Sequence, residues 1–157
     1  MLDDISLKIL KILQKKARIP NVEVARQVGM APSAVLERIR KLEKQGFIDG
    51  YEVRLNPERF SRSLVAFITI KTHSENDGPG FVATLTSLPE VQEIHYISGA
   101  DGYLLKVRVQ HPAALAAFIH EKILPAGAVE STQTAIVLST FKESAQIPIE
   151  ISDTDGM

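Results

Sequence analysis

The chain has 157 residues, no cysteine, and 18 Lys and Arg against 19 Asp and Glu, for a formal net charge of -1. The absence of Cys excludes disulfides and cysteine-based zinc sites and fits a reducing compartment. No apolar run is long enough to span a membrane, and charges interrupt the N-terminal apolar residues. The expected location is the cytoplasm, with no membrane partner. Charge is unevenly spread: residues 1–60 carry 12 Lys and Arg against 8 Asp and Glu, residues 61–157 only 6 against 11. A basic front and an acidic back predict that only the front meets a polyanion.

Ile5, Leu7, Ile9, Leu10, Ile12 and Leu13 give a first helix a wide apolar stripe. It starts near Asp3 or Asp4, whose charge suits a helix N-terminus. A second, short helix starts at Asn21, whose side chain is expected to cap it, and buries Val24, Ala25 and Val28. Gly29 stops it by taking a positive φ at little cost. Ala31 is the expected N-cap of a third helix and cannot accept a capping bond, but Pro32 presets φ for the first turn. Val35, Ile39 and Leu42 form its buried face, which leaves Ser33, Arg38, Arg40, Lys41 and Lys44 off that face. Two helices joined by a Gly turn and backed by a third predict a helix-turn-helix, whose second helix lies in the DNA major groove. This unit is expected over 1–50, with Phe47, Ile48 and Tyr51 packed beneath the helices.

Residues 51–62 are expected to be a short strand, Tyr51 to Leu55, broken at Asn56-Pro57 and followed by a linker. A second domain is expected over 63–148. Its strands are Leu64 to Thr72, Val91 to Ser98, Tyr103 to Gln110 and a long one from Val129 to Phe141. Its helices carry Phe81, Val82 and Leu85 up to Pro89, and then run from Pro112 to Leu124. Gly99-Ala100-Asp101-Gly102 has the Asp-Gly signature of a hairpin turn. The order β-α-β-β-α-β is the ferredoxin-like split pattern, and the fold class is α+β. One sheet face is expected to cover the helices. The other, apolar because Leu64 to Ile70 is apolar on both sides, is expected to pair with a second copy in a homodimer. The tail at 149–157 is expected to be disordered.

Several stretches together resemble the Lrp/AsnC, or feast/famine, family of transcription regulators. They are LDDISLKILKILQKKARIPNVEVARQVGM, RIRKLEKQGFIDGYEVRLNPE, LPEV, SGADGYLLKVRV and STQTAIVLSTFKE. The resemblance reaches to about Pro148. It implies a DNA-binding helix-turn-helix, a ligand-sensing domain, dimers often assembled into octamers, and an amino-acid effector held at dimer–dimer contacts near the turn between the second and third strands. Carried to this chain, it places Pro32, Ser33, Ala34, Glu37, Arg38, Arg40 and Lys41 at double-stranded DNA. Arg38 is the expected base contact, since Arg is the usual reader of guanine. Glu37 would repel phosphate but can accept from a cytosine amino group. The effector site implied is Gly99, Ala100, Asp101, Gly102 and Tyr103, completed by Thr134 and Ala135. The family's acidic residue usually directly precedes the aromatic, where this chain has Gly102, with Asp101 one place earlier.

No enzyme, cofactor or metal is expected. The four His are scattered without an i, i+4 pair, and there is no Gly-rich phosphate loop or nucleophile–base grouping. Two alternatives stand beside the regulator. A tetrapyrrole decarboxylase-like enzyme on the same architecture is opposed by the basic third helix. An amino-acid sensor without DNA binding has only Ala31 and Glu37 in its support.

Overall fold

The computed structural model describes residues 2–73, 78–99, 102–127 and 129–151. Of the tail expected at 149–157, residues 152–157 thus lie outside the described residues. The chain divides into a helical unit, residues 1–54 with 142–157, and a sheet unit, residues 55–141.

In the helical unit, α1 (Asp4–Leu13), α2 (Asn21–Val28) and α3 (Pro32–Lys44) converge on Ile9, Leu13, Val24, Ala25, Val35, Ile39 and Leu42, all buried. Their spacing on each helix is the 3.6-residue stripe expected. Asp3 caps α1, its carboxylate accepting from the Ser6 amide at 2.8 Å. Gly29 ends α2 at φ 69°, in the left-handed region where a side chain is strained. α3 starts at Ala31 without a side-chain cap and with Pro32 in its first turn, as expected.

Three expectations fail here. The N-cap of α2 is Pro20, not Asn21, and no side chain caps the helix. Residues 51–55 are not in a strand, and Tyr51, Val53 and Leu55 are exposed. Their alternation satisfies the pattern, but a strand also needs a ladder partner for its backbone. Ile48 packs on the helices as expected, whereas Phe47 is exposed. Tyr51 instead donates its hydroxyl to Glu43 Oε1 at 2.9 Å. Burial and that neighbouring carboxylate push its phenol up to about 12.

Residues 142–151 group with the helical unit by their contacts. Gln14, the C-cap of α1, explains the return. Its Nε2 donates to Ile147 O at 3.0 Å, its Oε1 accepts from the Ile147 amide at 3.2 Å, and its backbone carbonyl accepts from Gln146 Nε2 at 3.2 Å.

The sheet unit contains β1 (Leu64–Thr72), α4 (Gly78–Thr86), β2 (Val91–Ile97), β3 (Gly102–Val109), α5 (Pro112–Phe118) and β4 (Val129–Ile136). The strands are antiparallel in the order β2-β3-β1-β4. This is the expected ferredoxin-like α+β arrangement. Ala66, Ile68, Ile70, Leu105, Val107 and Val109 face the helices and bury Phe81, Leu85, Leu115, Phe118 and Ile123 against them.

The helix expected to reach Leu124 is α only to Phe118, then π over Ile119–Ile123 and 3-10 over Leu124–Ala126. The i→i+5 winding brings Phe118 and Ile123, five apart, to one face. Lys122 is left outside, where its Nζ meets Glu90 Oε1 at 2.6 Å. The last strand stops at Ile136, so Leu138 and Phe141 are almost wholly exposed.

The uncovered sheet face is also less apolar than expected. It carries Phe67 and Leu104, but Lys106 and Arg108 stand beside them by the sheet's alternation. Lys106 pairs with Glu93 at 3.1 Å.

Candidate nucleic-acid interface and ligand turn

α3 exposes Ser33, Glu37, Arg40, Lys41 and Lys44 on the side opposite Val35, Ile39 and Leu42. Pro32 is also exposed, in the first turn, and Ala34 is half-buried. Among the described residues, no ion pair engages Arg40, Lys41 or Lys44. One side of the helix is thus a solvated cationic stripe, with Glu37 as its single acid.

Arg38 is not part of that stripe. Its Nη1 donates to an Asp3 carboxylate oxygen and, at 2.9 Å, to Ser6 Oγ. The Arg38 side chain keeps only 29% of its surface exposed, and Ser6 is buried. The Arg38 guanidinium, followed by the Ser6 hydroxyl and amide, holds the Asp3 carboxyl down to about 2. Arg38 therefore ties α3 to the N-terminus of α1 through its Nη1. The sequence carried a signal for this. Arg38 is three residues after Val35 and four before Leu42, which puts it at the margin of the buried stripe. The burial of Ser6 had no such signal, whereas Asp3 stands where the sequence starts α1.

At the other site, residues 98–101 join β2 to β3, and Gly99 has φ 85°. Ala100 and Asp101 lie outside the described residues. Gly102 is not a central turn residue as the Asp-Gly signature implied. It is the first residue of β3 and pairs with Ile97 on one side and Lys71 on the other. A Cβ built on it would stand 1.8 Å from the Ile70 carbonyl oxygen. Glycine is needed there because the β1 backbone approaches so closely. Tyr103 follows, with its ring centroid 5.5 Å from that of Phe81 and 5.3 Å from that of Tyr96. Three aromatic rings thus stand beside the turn, two of which the effector-site residues did not include.

Thr134 and Ala135 are not brought to this turn within one chain. Thr134 pairs with Ile68, which pairs with Leu105, and Ala135 pairs with Phe67. Thr134 is thus two strands across from β3 and three residues along it from Gly102, roughly 10 Å in each direction. Consecutive strand residues also face opposite ways, so the two side chains project from opposite faces of β4. That parity was present in the sequence.

The comparisons with known proteins fit this geometry. Residues 2–49 match a winged helix-turn-helix DNA-binding model, and residues 64–147 match the Lrp/AsnC ligand binding domain. The leucine-responsive regulatory protein of Salmonella typhimurium is 40% identical over 151 residues, covering 95% of this chain and 92% of the relative. The solved transcriptional regulator of Neisseria meningitidis in complex with L-Met is 30% identical. It superposes with a TM-score of 0.90, covering 94% of this chain and 97% of that one. AsnC of E. coli is 30% identical, with a TM-score of 0.86 and coverage of 94% and 99%. The fold and its two sites define a DNA-binding transcriptional regulator with a ligand-sensing domain. The chain belongs to the Lrp/AsnC family.

Proposed function

We propose that α3 enters the major groove of double-stranded DNA with Pro32, Ser33, Ala34, Glu37, Arg40 and Lys41 against it. Ser33 and Glu37 reach base edges, whereas Arg40 and Lys41 hold phosphates. Arg38 acts as a positioning residue that fixes the angle of α3 through Asp3 and Ser6. The observation that carries this reading is the cationic stripe with no ion-pair partner among the described residues. A protein that only sensed amino acids would have no use for it, and a tetrapyrrole enzyme would not need it on a helix-turn-helix. A gel shift with DNA upstream of the chain's own gene tests it. A shifted band that survives competition by unrelated DNA is expected, and its absence would sink the reading.

The effector proposed is an amino acid held at the turn by Gly99, Ala100, Asp101, Gly102 and Tyr103. One relative is named for its response to leucine and another was solved with L-Met, which makes aliphatic amino acids the first to test. The Asp101 carboxylate suits an α-ammonium, and turn amides suit a carboxylate. Because Thr134 and Ala135 are remote within one chain, they complete the site only from a neighbouring copy. The working form is then a homodimer or an octamer of dimers, in the cytoplasm. An effector in such a site regulates by binding one assembly more tightly than another. Calorimetry with the common amino acids, read beside sedimentation, tests this part. Binding with an assembly shift is expected, and no binding to any of them would overturn it.

A further inference from the structure

Three aromatic rings form a ladder at the turn end of the sheet. Phe81 of α4 is 4% exposed and belongs to the core. Its ring centroid lies 5.5 Å from that of Tyr103, the planes inclined by 60°. Tyr103 in turn lies 5.3 Å from Tyr96, edge to face at 62°. Both spacings fall in the range of about 4.5–7 Å that aromatic pairs favour. Exposure rises along the ladder: Tyr103 is half-buried and Tyr96 is 67% exposed. The core end steadies Tyr103, and Tyr103 steadies Tyr96, so the outer ring is held yet wet. β2 is an edge strand, so no strand among the described residues covers Tyr96 from its outer side.

The open end of the ladder lies next to the turn. Tyr96 pairs with Tyr103, and the next pair, Ile97 with Gly102, is the last before residues 98–101. The rings are thus about 3.4 Å along the strand from the base of the turn. A Cβ built on Gly99 meets nothing within 4 Å among the described residues, so the space over that glycine is open.

We propose that Tyr96, with Tyr103 behind it, is the side-chain subsite of the effector and selects an amino acid with an aromatic side chain over an aliphatic one. This rests on the amino-acid reading of the turn given above and adds the class of amino acid. A ligand ring set against Tyr96 extends the ladder by one member. An aliphatic side chain of similar area gains the same burial but not the ring-to-ring attraction. That attraction corresponds to about twofold to tenfold in affinity. Tyr96 loses little freedom on binding, since Tyr103 already holds it.

Calorimetry of the full-length protein with L-phenylalanine and with L-leucine tests this, in the native chain and in Tyr96→Phe and Tyr96→Ala. The ratio of the two affinities within each variant is the readout, so a loss of folded protein does not imitate the effect. L-phenylalanine is expected to bind about twofold to tenfold more tightly than L-leucine in the native chain and in Tyr96→Phe. In Tyr96→Ala the ratio is expected to fall to about one. The chain contains no Trp. The fluorescence of added L-tryptophan therefore reports the ligand alone, and its change on binding should be lost in Tyr96→Ala. A native preference for L-leucine would overturn the proposal while leaving the amino-acid reading of the turn intact, as would a ratio unchanged in Tyr96→Ala. Binding of neither amino acid, nor of any other, would overturn both. If Tyr96→Ala alters sedimentation with no amino acid present, the ring belongs to a contact with a second copy of the chain and the proposal falls.

Discussion

Arg38 of α3 and Asp3, the residue that caps α1, form one ion pair whose guanidinium also reaches the buried Ser6. A single Arg thus joins a helix cap, a buried hydroxyl and the recognition helix. Arg38→Ala is expected to lower the stability of the helical unit by about 1 kcal/mol, as for a half-exposed, hydrogen-bonded pair. In a domain of this size that is a fall in melting temperature of about 4–8 °C. Any decrease in DNA affinity should be alike for all sequences. A changed site preference at unchanged stability would return Arg38 to the groove.

The same pair makes the unit sensitive to acid. The Asp3 carboxyl titrates at about 2 in the folded chain, against an ordinary 3.8. A depressed pKa contributes stability above the ordinary value, and that contribution is lost as pH falls from about 4 through 2. Asp3 is 54% exposed, so solvent screening keeps the contribution small. Asp3→Asn keeps a good capping side chain and removes the charge. The native protein is expected to melt above the variant at pH 5–7, with the gap closing by pH 2. A gap that persists at pH 2 would show that the charge is not its source.

The helical core and the order of the sheet were readable because each buried face repeats at a helical or strand period. Ile9, Val24, Val35 and Leu42 fall where the period puts them. Tyr51, Val53 and Leu55 repeat equally well yet form no strand, since a period reports side chains and not backbone partners. Gly102 looked like half of an Asp-Gly turn. Its actual constraint is the Ile70 carbonyl, contributed by a strand more than 30 residues away. Contacts that distant leave no local pattern. Arg38 was readable in part, because its place beside Val35 and Leu42 follows from the wheel, whereas its bonds to Asp3 and Ser6 do not.

Gly102 offers a test confined to the sheet unit. A methyl at this position meets the Ile70 carbonyl oxygen at 1.8 Å and its carbon at 2.9 Å, so β1 or β3 has to move. Gly102→Ala is expected to destabilise the sheet unit by at least about 1–3 kcal/mol, the usual cost of overpacking. Hydrogen exchange should speed up in β1 and β3 while α1 to α3 keep their protection. Equal protection in both strands would mean that the backbone accommodates the methyl at no cost.

Arg40 and Lys41 are expected to behave unlike Arg38. Both are exposed on α3, and neither is tied to another side chain by an ion pair among the described residues. Their removal therefore costs the fold little, and the melting temperature of Arg40→Ala and Lys41→Ala should stay close to native. A phosphate that is no longer held means about one fewer counterion released, so the slope of log affinity against log salt should fall by about one per substitution. The weakening should be the same for a preferred site and for unrelated DNA, since phosphates carry no sequence information. Glu37→Gln provides the contrast. It removes the one acid from the stripe, which raises affinity for all DNA at low salt. It also weakens a carboxylate's preference for a cytosine amino group, so discrimination between sites should narrow. Binding isotherms at several salt concentrations on two DNA sequences measure both quantities. An unchanged slope in Arg40→Ala and Lys41→Ala would remove this face of α3 from the interface.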